Sequence, residues 1–103
     1  MSERVYITGI GIVCAIGNNV EVTLQSLLAE RSGIGEISLF PTMHKGVIPV
    51  AEVKMTTSQL LEQSGHASLK NLTRTTLLGM KAAKEAVCSA GINNINQYKM
   101  LIL

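Results

Sequence analysis

The sequence predicts an α/β fold in the order strand, helix, irregular region with an edge strand, helix, strand. Three observations carry this. Val5 to Ile7 form a short β-branched apolar run entering Thr8-Gly9-Ile10-Gly11. Two later stretches repeat apolar or small residues at helical spacing, and Tyr98 to Leu103 is apolar with no polar face.

Residues 4 to 10 read as a buried strand, since the run is too short and too β-branched for a helix. Ile12 to Asn19 make an irregular loop with Gly17-Asn18 as a turn. Asn18, with Glu21 three residues later, resembles a capping pair, so a helix begins near Asn19. Val20, Leu24, Leu27 and Leu28 mark its expected buried face, with Glu21, Gln25, Glu30 and Arg31 outside. Ser32-Gly33 is its expected end, and Gly33 and Gly35 offer positive-φ options for the exit.

Residues 36 to 56 carry Pro41, Gly46 and Pro49. Val47 to Val53 can form a short strand, which Pro49, lacking an N–H, confines to an edge. Thr56 with Gln59 caps a helix of one or two turns that Gly65 stops. From Leu69 to Ala90 a longer helix shows Gly79, Ala82, Ala83, Ala86 and Ala90, a small-residue face onto which another element packs closely. Lys81, Lys84 and Glu85 mark its expected solvated side, and Gly91 its stop. Asn93 to Gln97 read as a loop, and Tyr98 to Leu103 as a central strand needing helices on both faces.

The chain has 103 residues, of which 47% are hydrophobic, with mean hydropathy +0.31. A domain this short buries only about 60% of its unfolded surface, so part of its apolar core is expected to lie on another chain or segment. Aromatic content is 3% with no Trp, and the nine basic residues are scattered among acids, which sets nucleic-acid binding aside. No apolar run approaches the ~20 residues that cross a bilayer, and Met1 to Arg4 lead into the strand without a signal-peptide core, so a cytoplasmic setting without membrane contact is expected.

The string RVYITGIGIVCAIGNNVEVTLQSLLAERSGIG resembles the opening of the elongating β-ketoacyl-[acyl-carrier-protein] synthases, in which R-V-x-I-T-G-x-G precedes an x-G-N loop, an amphipathic helix and S-G-I. Arg74 to Ile92, RTTLLGMKAAKEAVCSAGI, is similar to the family's Ala-rich helix. Cys14-Ala15 departs from the family's common Ser-Pro, and residues 36 to 70 carry little resemblance. The resemblance implies a thiolase-like layered fold and a decarboxylative Claisen condensation between an acyl thioester and malonyl carrier protein. It also implies a Cys nucleophile and two His that lie beyond this chain. The expectation is therefore a truncated N-terminal portion spanning 1–103 with no internal boundary, inactive alone, and without catalytic, cofactor or metal site residues. Its expected partners are an acyl carrier protein, the remainder of the parent chain, and a homo- or heterodimeric or self-associating copy.

Each candidate site has a plainer reading. Cys88 sits in the last turn of its helix, the wrong end for an activated nucleophile, and Cys14 matches a family Ser; both read as small buried hydrophobes. His44 and His66 are isolated in polar, loop-like surroundings and read as surface residues. Gly9-Ile10-Gly11 invites a dinucleotide-binding reading, but Cys14 occupies the third glycine position and Glu30 falls inside a helix, leaving a tight strand exit. Asn71-Leu72-Thr73 fits a glycosylation acceptor without a secretory context, and the seven scattered Glu residues form no acid/base pair. Two alternatives remain. A non-catalytic ketosynthase-like subunit that sets chain length would show no Cys at the nucleophile turn downstream, and a small nucleotide-binding domain would bind NAD saturably.

Overall fold

A computed structural model describes residues 3–65 and 71–92 of the chain. Among the described residues it is an α/β arrangement of three helices and a two-stranded sheet: α1 (Val20–Leu28), β1 (Ile34–Gly35), β2 (Val50–Ala51), α2 (Thr57–Ser64) and α3 (Arg74–Ser89). Among the described residues, no helix is long and apolar enough to cross a membrane.

The two later helices follow their local signals. Thr56 accepts from the Gln59 N–H while the Gln59 side chain accepts from the Thr56 N–H, a reciprocal capping box, and Gly65 closes α2 at φ 76°. Thr73 caps α3 by accepting from Thr76 N–H, so this helix begins at Arg74 rather than at Leu69, with Asn71 ahead of the cap at φ 69°. At the other end Gly91, at φ 73°, donates to Cys88 O at 3.1 Å, and Ile92 donates to Val87 O at 3.2 Å. That is the paired bonding of a Schellman turn, which satisfies carbonyls the helix leaves open. The core lies between these helices: Met55, Leu60 and Leu77 are buried, with Val53, Leu61, Leu72, Leu78 and Met80 packed around them.

Several expectations change. Among the described residues, 4 to 10 join no ladder, since a strand exists only through a neighbour's hydrogen bonds. The expected neighbouring run, Tyr98 to Leu103, and the loop Asn93 to Gln97 lie outside the described residues, as does His66. Helix α1 starts where expected, but its cap is Asn19, whose Oδ1 accepts from Val22 N–H at 2.8 Å, rather than Asn18. It ends at Leu28, before Ser32-Gly33, and the positive φ of its exit falls at Glu30 (φ 54°) rather than at Gly33 or Gly35. Its leucine face is open: Leu24, Leu27 and Leu28 are 54%, 61% and 77% exposed, while the polar Thr23 and Ser26 are buried.

The edge strand is shorter than Val47 to Val53. Only Val50–Ala51 pairs, antiparallel to Ile34–Gly35 with Ile34 opposite Ala51, so the expected helix-exit turn supplies its partner. Much apolar surface stays uncovered. The chain exposes 8447 Å2, where about 5,600 Å2 is typical of a compact 11.0 kDa monomer.

Candidate functional site

The chemistry-bearing side chains gather where residues 5–13, the loop into α1 and the C-terminal half of α3 meet. The first segment lies along the small-residue face of α3, running opposite to it. A Cβ on Gly11 would fall 2.8 Å from Ala86 N, with Ala82 O closer, and one on Gly9 would fall 2.8 Å from Ala90 Cβ. The face of Ala82, Ala86 and Ala90 therefore receives the backbone of Gly9 and Gly11, and only glycine permits that approach.

Glu85, on the same helix, holds the junction. Its carboxylate accepts from Ile12 N–H and Val20 N–H, each at 3.0 Å, joining the first segment and the first turn of α1 to α3. These bonds, from Val20 and then Ile12, hold its pKa below the ordinary carboxylate value against the upward push of burial, with Lys81 assisting. Glu85 was expected on the solvated side and instead ties three segments together. The signal available in the sequence was the unsatisfied amide of Val20 at a helix start, which attracts an anion. Lys81 also has a partner, donating to Gln63 Oε1 at 3.1 Å.

The loop ahead of α1 closes as a tight turn. Cys14 N–H donates to Gly17 O at 2.9 Å, and Gly17 N–H to Cys14 O at 3.3 Å. The buried face of α1 fixes this turn: Ser26 Oγ donates to Ile16 O at 2.7 Å, and Cys14 Sγ lies 3.6 Å from Thr23 Oγ1. A Cβ on Gly17 would fall 2.8 Å from Thr23 Cα, so helix and turn are in direct contact. Thr23 and Ser26 are buried because the turn's carbonyl and thiol need polar partners, which is why the polar face of α1 points inward.

Cys14 is half-buried, and its hydrogen bond with Thr23 lowers the thiol's pKa despite burial, with smaller help from the Ile16 and Gly17 backbone. A hydroxyl partner cannot accept the thiol proton at neutral pH as an imidazole would, so this contact is not a nucleophile–base pair. Cys88 is exposed, contrary to its expected burial, because the small-residue face of α3 rather than this position carries the contact with Gly9 and Gly11. It borders a groove of about 810 Å3 shared with Leu60, Leu77, Met80 and Lys84. His44 is exposed, as expected. Among the described residues, no three His, Cys, Asp or Glu side chains gather as a metal site.

A second hollow of about 460 Å3 lies by Phe40, Val53, Arg74 and Leu78. Its charged groups are structural. Arg74 donates to Val53 O at 3.2 Å and Thr57 Oγ1 at 3.4 Å, while Glu52 accepts from Ser38 N at 2.8 Å, Ser38 Oγ at 2.9 Å and Leu39 N at 3.1 Å. Burial pushes the Glu52 pKa up, but the bonds from Leu39 and Ser38, with Lys54, outweigh it and leave the pKa lowered.

A junction built of glycines, small side chains and one bridging carboxylate is scaffold, and its sequence pattern has relatives. The β-ketoacyl synthase, N-terminal domain family matches residues 2–100. The chain belongs to this family. It is 30% identical over 105 residues to a putative mitochondrial 3-oxoacyl-[acyl-carrier-protein] synthase of Schizosaccharomyces pombe, covering 96% of this chain and 24% of that protein. It is 32% identical over 90 residues to 3-oxoacyl-[acyl-carrier-protein] synthase 1 of Haemophilus influenzae, covering 87% of this chain and 21% of that protein. The chain thus spans less than a quarter of the length of those relatives. No solved structure matches it.

Proposed function

We propose that this chain is the N-terminal part of a 3-oxoacyl-[acyl-carrier-protein] synthase, serving as scaffold for a decarboxylative Claisen condensation between an acyl thioester and malonyl carrier protein. The family match over residues 2–100 carries the reading. The named activity of both relatives supports it, at a coverage of 24% and 21% of their lengths. In this reading the nucleophilic Cys and the two His come from sequence beyond residue 103, and the segment belongs to a thiolase-like layered fold. Gly9, Gly11 and Glu85 then act by holding the first segment on α3 rather than by touching substrate.

The 103-residue chain alone is inactive under this proposal, since Cys14 has a hydroxyl partner and Cys88 lies exposed at the end of α3. The test is incubation of the purified chain with acyl and malonyl carrier proteins. The expected result is no carbon dioxide release and no acyl mass added at Cys14 or Cys88. Turnover, or stable acylation of either thiol, overturns the reading.

A further inference from the structure

We draw no further inference here: the strongest candidate, the exposed leucine ridge on the outer face of α1 at Leu24, Leu27 and Leu28, carries none, because nothing among the described residues shows what covers it.

Discussion

Replacing Gly11 by alanine adds one methyl group where the first segment meets α3, and the neighbouring atoms cannot yield. The new Cβ falls 2.8 Å from Ala86 N and 2.9 Å from the Ala82 carbonyl carbon, with Ala82 O nearer. All three are helix backbone, held by the hydrogen bonds of α3 itself. Ordinary contact begins near 3.4 Å, so the segment must retreat by more than about 0.5 Å, with loss of dispersion contact along its length. That retreat also stretches the 3.0 Å bond from Ile12 N–H to Glu85. Overpacking of this kind costs about 1–3 kcal/mol, and in a domain of this size each kcal/mol lowers Tm by roughly 4–8 °C. Ala82→Gly gives no rescue, because the obstruction is not a side chain. Gly79→Ala is the internal control: it lies in the same helix with nothing within 4 Å of its Cβ, and alanine there is expected to stabilise by about 0.5–1 kcal/mol. Urea unfolding followed by far-ultraviolet circular dichroism reads both midpoints at a common slope. A Gly11→Ala midpoint at or above that of the parent chain refutes the close packing of residues 9–11 on α3.

Three other outcomes are expected. Leu77→Ala, at a fully buried position between α2 and α3, costs about 2–5 kcal/mol in the same unfolding assay. Glu85 has a lowered folded pKa, so its bonds stabilise the fold above the ordinary carboxylate pKa and are lost as pH falls through the folded value. Glu85→Gln therefore flattens the decline in stability below about pH 4.5, as read by unfolding midpoints across pH, and an unchanged acid limb contradicts the clamp. Thr23→Val removes the hydroxyl that lowers the Cys14 pKa, so in a Cys88→Ser background iodoacetamide labelling at neutral pH slows; faster labelling shows that burial behind Thr23, not its hydrogen bond, controls the thiol.

What could be read from the sequence divides by the range of the interaction. The capping box of Thr56 and Gln59, the stop at Gly65 and the turn at Gly91 are set by residues within one helical turn of each other, and each stands where its local signal placed it. The alanine face of α3 announced a close neighbour without naming it, and Gly9 and Gly11 answer it from more than 70 residues away. Burial is different, because it belongs to the neighbours rather than the residue. Leu24, Leu27 and Leu28 have the spacing of a buried face, yet the turn at Cys14–Gly17 needed hydrogen-bonding partners and drew Thr23 and Ser26 inward. Glu85 departs from its expected place for the same reason, since a carboxylate that follows Lys81 and Lys84 looks solvated until two distant amides arrive beside it. Cys88, outside the alanine face, gave no sign of its exposure.

The inward polar side of α1 has a consequence for its outward one. Hydrogen bonds are directional, so Ser26 on Ile16 O and Glu85 on Val20 N–H fix how the helix is turned about its own axis without help from Leu24, Leu27 and Leu28. Those leucines form a ridge that is already ordered before anything touches it. A surface that docks there has no helix to fold and no rotation of it to choose, so that part of the ordering cost of association has been met in advance by the residues on the opposite side.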